Sequence, residues 1–397
     1  MKTLCKLPLL TPDSPEGFRA VDLNAGAIEG FTGPANWSVR SRTLHGGLQE
    51  GVHVLEIDNG RLSFSVLPTR GMGIWKGRCG DVSLGWDSPV KDPVNPAFMN
   101  LTERGGLGWL KGFNEWIVRC GLNSMGAPCT DTVADYSGNA CDVGLTLHGR
   151  IANLPARAVS LEITGEAIVL RGEVDETMMF GPALRLNTEI RTEFGSGRLD
   201  ITDTVTNLGD NPVEHQLLYH INYGEPLLGK GARVLAPFKQ VAPRDARSAE
   251  GVRTFDQYGA PEAGFVEQAC FFELAGERGS GETMTLLRNA AGDRASLLRF
   301  SLKDLPCFTL WKNTAGRADG YVTGMEPGTS FPNPRPFERG KGRVPTLDGG
   351  GSRTVRLSVE TLATKTAVRA AEIRIRKLRS TAESAVHPHP VPRLSPC

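Results

Sequence analysis

The chain has 397 residues, enough to bury a substantial core in one large domain or two smaller ones. Its 45 basic and 44 acidic residues leave a formal charge of +1. No bulk field therefore favours nucleic acid or an anionic membrane, and a small neutral or weakly polar ligand fits better. The eight cysteines show no Cys-x-x-Cys spacing and no paired framework, which suits a reducing compartment. Lys6 interrupts the apolar residues at the N-terminus, and Pro8 and Pro12 follow before a signal-peptide core can form. With no apolar run long enough to span a membrane, the expected location is the cytoplasm.

Residues 1–43 read as an N-terminal extension. From residue 52 the chain becomes short strands punctuated by turns: 52–57, the turn Asp58-Asn59-Gly60, then 61–67. Asn-Gly supplies the positive φ of a tight hairpin. Further strands are expected at 158–164, 167–174, 184–194, 198–205 and 213–222. After an irregular stretch, 237–265, they resume at 269–274, 283–287, 296–302, 307–311, 321–325 and 352–362. This rhythm predicts an all-β chain, a large antiparallel β-sandwich over 44–363. Helical periodicity is confined to a short piece at 105–116 and to 365–379, and the basic, Pro-rich tail 364–397 reads as a solvated, partly disordered appendage.

The segment Leu217 to Gly224 alternates as a strand, with Leu217, Tyr219 and Ile221 as a core stripe and Gln216, His220 and Asn222 on the opposite face. An imidazole and an amide side by side on that face fit the wall of a polar cleft. Arg70 prolongs the face of Leu62, Phe64 and Val66 just before Gly71-Met72-Gly73, either to bind a ligand or to pair with an acid. His148 shares a face with Thr146 and Arg150; taken alone it reads as a satisfied structural histidine. Glu326 stands where a strand gives way to Pro327-Gly328-Thr329-Ser330. Together, a carboxylate, imidazoles and an arginine at strand ends suit proton transfer on and off neighbouring sugar oxygens. No phosphate loop, dinucleotide fingerprint or His-Glu-x-x-His occurs, and although His148, His220 and Glu326 could meet around an ion, neither a metal nor a cofactor is expected.

Three motifs carry a resemblance: Leu147-His148-Gly149, His220 followed by Asn222, and Gly324-Met325-Glu326-Pro327. In that order along an all-β chain they resemble the galactose mutarotase (aldose 1-epimerase) superfamily. Leu67 to Gly73, Leu147 to Asn153 and Tyr219 to Leu228 look like its branch of aldose 1-epimerase-like proteins of unassigned physiological function. The likeness spans about 44–362. It implies a supersandwich with sugar on a concave sheet, Glu326 as the base at the anomeric hydroxyl and His220 as the acid at the ring oxygen. His148 and Arg70 would hold sugar oxygens, and Asn222 would orient His220 or the sugar.

The chain also departs from that pattern, because residues 147–153 fuse two blocks that are separate in the usual mutarotases. The substrate arginine is then either Arg70 or Arg150, and Asp319 is the candidate for the family's sugar-binding aspartate. Leu44-His45-Gly46-Gly47 reads as a decoy ahead of the first hairpin. The block Gly112-Phe113-Asn114-Glu115-Trp116, with Arg119 and Asn123 after it, is expected to line the cleft, Asn114 binding substrate and Trp116 or Trp109 stacking on a sugar ring. Two alternatives use the same residues: isomerisation or elimination of a keto-sugar, or carbohydrate binding without catalysis. The partner in each case is a small sugar or sugar derivative, and nothing in the sequence sets the oligomeric state.

Overall fold

Strict alternation of buried and half-buried side chains builds the long strands; Ala183–Glu193 buries every second residue from Leu184 to Thr192. Such strands form two sheets that must bury their apolar faces against each other. In this computed structural model residues 3–13, 17–380 and 383–396 are described. Among them the strands form one sheet of nine, one of thirteen and two small two-stranded ribbons. The elements that position the site are β1 (Thr3–Leu10), β2 (Ser38–Thr43), β3 (His53–Asp58), β4 (Leu62–Leu67), β5 (Gly73–Cys79), β6 (Val82–Leu84), β7 (Ile117–Leu122), β8 (Gln216–Tyr223), β9 (Cys307–Thr314) and β10 (Tyr321–Gly328).

β2 to β5 lie side by side in the thirteen-stranded sheet, followed by β7, β8, β10 and β9, with β6 beside β5. The main core fills the space between the sheets, with Ile57, Phe64, Ile117, Tyr219 and Met325 from one and Leu186, Ile201 and Val359 from the other. Asn59 pins the first hairpin across that space. Its Oδ1 accepts from the amides of Arg61 and Leu62, and its Nδ2 donates to Thr192 Oγ1 and to the carbonyls of Glu193 and Ser196.

Both ends of the chain belong to the sheets. β1 pairs antiparallel with Ala158–Thr164 at the edge of the nine-stranded sheet, and β2 pairs with β3, so the described residues of the segment expected as an N-terminal extension contribute strands. The C-terminal segment forms a helix, Lys365–Arg379, which buries Val368, Ala371 and Ile375 against Leu286 and Leu297. Ala385–Val386 then pairs parallel with Phe238–Pro243, and Leu394 is buried near Phe271 and Phe331. The tail is therefore packed where an appendage is expected, because three apolar residues at helical spacing offset its charge. The helix expected at 105–116 is instead broken turns, with Arg104, Gly105 and Gly106 all at positive φ.

One ion pair ties the sheets together. Arg119 on β7, expected at the cleft, points the other way into the core, where its guanidinium bonds both oxygens of Asp203 on Arg198–Asn207. It also donates to Met72 O at 2.9 Å and to Thr188 Oγ1 at 2.7 Å, while the Tyr219 hydroxyl donates to Asp203 at 2.8 Å. With every partner buried, removing one charge strands the other. Arg119→Met is expected to destabilise the protein by about 3–5 kcal/mol, and the double variant Arg119→Met/Asp203→Leu by clearly less; urea denaturation measures both.

Candidate active site

Antiparallel register brings the key carboxylate and imidazole together. β8 pairs with β10 so that Ile221 faces Met325 and Asn222 faces Gly324. His220 and Glu326 then stand on neighbouring strands with side chains on the face away from the main core. His220 Nε2 lies 3.2 Å from Glu326 Oε1, and both side chains are almost fully buried. Glu326 Oε1 nevertheless makes no aligned hydrogen bond, so a buried acceptor stands open beside the imidazole. Gly324 makes the room: a Cβ there would come within 2.6 Å of Glu326 Oε1 and 2.8 Å of His220 Cε1.

Asn222 fixes the imidazole. Its Nδ2 donates to the carbonyls of Glu115, at 3.0 Å, and His220, at 3.2 Å, which leaves Oδ1 to accept from His220 Nδ1 at 2.6 Å. The Nδ1 proton is thereby committed, and Nε2 is the nitrogen free to exchange a proton with Glu326 or a ligand. Burial lowers the pKa of His220 well below the usual imidazole value, with nearby His148 adding to the effect. Burial raises Glu326 well above the carboxylate range, with Glu267 adding and Arg244 opposing. Both groups are thus pushed toward their neutral forms, the arrangement in which one proton is shared between them.

The walls are aromatic. Around the His220 ring stand Phe113 at 5.1 Å, His148 at 5.3 Å, Trp311 at 5.4 Å and Trp109 at 6.1 Å between centroids. His148 sits at φ 58°, its Nδ1 3.1 Å from Met125 O, and burial lowers its pKa to about 4. Trp109 is buried with its indole N–H unpartnered, as is the Thr309 hydroxyl, which lies opposite Glu326 in the register of β9 and β10. Trp311 donates to Glu267, and Glu267 pairs with Arg244. Among the described residues no group of three or more His, Cys, Asp or Glu is arranged to hold a metal ion.

Several expected ligand contacts are structural instead. Arg70 is 1% exposed and spends its guanidinium on Glu115 Oε1, Asn153 Oδ1 and the carbonyls of Val94 and Gly112. It is an internal anchor, because Gly112 and Glu115 close over it. Arg150 is exposed, and it is Arg244 rather than Arg150 that acts on the charge of Glu326. Trp116 belongs to the main core, so of these two candidates Trp109 is the one beside the imidazoles. Asn114 is buried and donates to Val90 O at 3.1 Å, with its Oδ1 unpartnered. Asn123 accepts from Arg335, and Asp319 is exposed in a turn. His45 is exposed and 2.9 Å from Glu50, away from the pair. Phe113, in the block expected to line the cleft, stands beside His220, whereas sequence reasoning missed Trp311, Thr309 and the room made by Gly324. For the last two the signal was present, since both share the strand parity that places Glu326.

The sequence and the fold have relatives. Residues 49–361 match the model of a domain of unknown function, DUF4432. A crystal structure described as a "putative aldose 1-epimerase" from Klebsiella pneumoniae is 35% identical, covers 96% of this chain and 98% of its own, and superposes with a TM-score of 0.88. A galactose mutarotase-like protein from Clostridium acetobutylicum shares the fold at 14% identity and a TM-score of 0.59, over 83% of this chain and 99% of its own. A second "putative aldose 1-epimerase", from Escherichia coli K12, shares it at 14% identity and a TM-score of 0.51, over 78% and 99%. No curated protein matches the chain. Among the described residues no helix is long and apolar enough to cross a membrane. With most of its length inside the matched region, the chain belongs to the DUF4432 family, whose fold is the galactose mutarotase-like β-sandwich.

Proposed function

We propose that the protein is an aldose 1-epimerase, exchanging the anomers of a sugar with Glu326 and His220 as its proton-transfer pair. The observation that carries this reading is the 3.2 Å contact between His220 Nε2 and Glu326 Oε1 in a buried, aromatic-walled site. Anomer exchange needs a base and an acid at two oxygens bonded to one carbon, and two groups on adjacent strands meet that requirement. The Klebsiella protein's description supports the same assignment.

In the forward step the shared proton passes from Glu326 to His220 Nε2; the Glu326 carboxylate then takes the proton of the anomeric hydroxyl as His220 gives its Nε2 proton to the ring oxygen. The bond between the anomeric carbon and the ring oxygen breaks, leaving an open-chain aldehyde. After rotation about the adjacent carbon–carbon bond, the ring hydroxyl attacks the other face of the carbonyl. His220 recovers its proton from that hydroxyl, and Glu326 returns its own to the carbonyl oxygen. One shared proton suffices and the cycle returns the pair to its starting state. Trp109 N–H and the Thr309 hydroxyl are buried groups lacking partners in the free protein, and they supply hydrogen bonds to the sugar.

Glu326→Gln is expected to slow anomer exchange about a hundred- to ten-thousandfold while keeping sugar binding, read by proton NMR of freshly dissolved α-sugars. Full activity in that variant would remove the proposed base. Gly324→Ala is expected to lose on the order of a hundredfold in kcat, because the added methyl must displace both reacting groups.

The pH profile of kcat/KM should be bell-shaped. Burial holds the shared proton above the ordinary carboxylate range, so the alkaline limb, where that proton leaves, lies above that range. Burial also resists a second proton, so the acid limb lies below the ordinary imidazole value of about 6.5. An acid limb centred above that value would contradict the assignment of His220.

A further inference from the structure

The face of the thirteen-stranded sheet that carries His220 has a concavity, about 640 Å³ in volume, over β2 to β6. Its floor is a polar lattice set by register. Ser38 faces Asp58, Asp58 faces Ser63, Ser63 faces Arg78 and Arg78 faces Ser83, across five consecutive strands. One pleat along, Arg40 faces Glu56 and Glu56 faces Ser65. The other face of the same strands is core, with Val39, Ile57, Phe64, Cys79 and Leu84.

The chemistry of the lining selects a ligand class. Three basic side chains, Arg40, Lys76 and Arg78, are interleaved with four acidic ones, Glu56, Asp58, Asp87 and Glu225, so no single sign of charge dominates. Phosphate or carboxylate ligands would meet as much repulsion as attraction. Hydroxyls, guanidinium groups and carboxylates at sheet spacing instead offer closely alternating donors and acceptors, which suits an uncharged polyhydroxylated molecule. An apolar platform is present as well. Trp86 lines the cavity half-buried, and its Nε1 donates to Glu115 O at 3.2 Å, so its ring is held in place. An ordinary solvent-facing sheet would share the alternation of side chains but neither the concavity nor the fixed indole.

Position relates this groove to the reaction site. Trp86 lies 5.0 Å from Phe113, which lies 5.1 Å from His220, so two aromatic rings separate the concavity from the catalytic pair. β5 and β8 flank β7, which places them two strand spacings apart, about 10 Å. We propose that the groove is a second carbohydrate site, binding the uncharged outer residues of an oligosaccharide or glycoside whose reducing-end sugar meets His220 and Glu326. The link to the reducing end rests on the epimerase reading; the affinity of the groove for neutral glycan does not.

Titration calorimetry tests it with neutral tetrasaccharides of glucose, mannose, galactose and xylose beside the four monosaccharides. At least one tetrasaccharide should bind about tenfold or more tightly than its monosaccharide. That margin should vanish in Ser83→Trp, an exposed position where the indole fills the groove, and shrink in Arg78→Ala, with melting temperatures checking that both variants fold. Equal affinities throughout, no binding by any of the eight sugars, or a margin that survives both substitutions would overturn the groove. Monosaccharide anomer exchange, followed separately by NMR, distinguishes the two readings. A tetrasaccharide margin without exchange supports the groove and removes the epimerase, while exchange without a margin does the reverse.

Discussion

The candidate site depends on a chain of hydrogen bonds that begins at a buried ion pair. Arg70 holds Glu115 through Nε at 2.9 Å and Nη2 at 2.8 Å, with both side chains withdrawn from solvent. Glu115 in turn presents its carbonyl to Asn222, and Asn222 commits the Nδ1 proton of His220. Each link leaves the next a single arrangement, ending with Nε2 aimed at Glu326. Glu115 O also receives the indole proton of Trp86, and Arg70 braces Gly112, so the same pair positions the loop bearing Trp109 and Phe113. A neutral amide beside the imidazole fixes its tautomer without the rise in basicity that a carboxylate would bring. That choice agrees with the proposed role of His220 as a proton donor.

Burial of the pair has a cost that the fold meets by consistency elsewhere. Two ionisable groups buried among aromatic rings are disfavoured in their charged forms, and a shared proton limits that penalty by allowing both to be neutral. The surrounding rings exclude water and strengthen whatever polar contact a ligand makes. The opposite face of the same strands can tolerate this because it is so strongly tied down. Tyr219 and Ile221 lie in the main core, and Arg119, Asp203, Thr188 and Tyr219 form a satisfied polar cluster between the sheets. Gly324, lacking a side chain, is the complementary feature on the working face, since any Cβ would occupy the space between acid and base.

Much of this was legible before the fold. Period-two alternation announces the sandwich; Asn59-Gly60 announces the first hairpin; the parity of Gln216, His220 and Asn222 announces a polar face on an otherwise apolar strand. The ends of the chain were less legible. β1 contains Pro8, and the tail is rich in arginine, so their local composition argues for solvent exposure. Edge positions admit proline, and a helix needs only one apolar stripe, so packing overrode composition at both ends.

What the sequence by itself determined is which residues share a strand face, because side-chain parity is a local property of an extended chain. It therefore identified His220 and Asn222 as sharing a polar face and Glu326 as standing at a strand end, and the resemblance to mutarotases implied a role for each of the three. It could not decide what each arginine faces. Arg70 and Arg119 are both candidates for ligand contact by type and neighbourhood, yet Glu115 and Asp203 claim them, from 45 and 84 residues away along the chain. Nor could it choose between Trp109 and Trp116, which a turn of irregular backbone sends to opposite faces of one sheet. Those outcomes depend on long-range pairing: a buried charge is satisfied by whichever counter-charge the sheet register brings near, and only the tertiary structure sets that register.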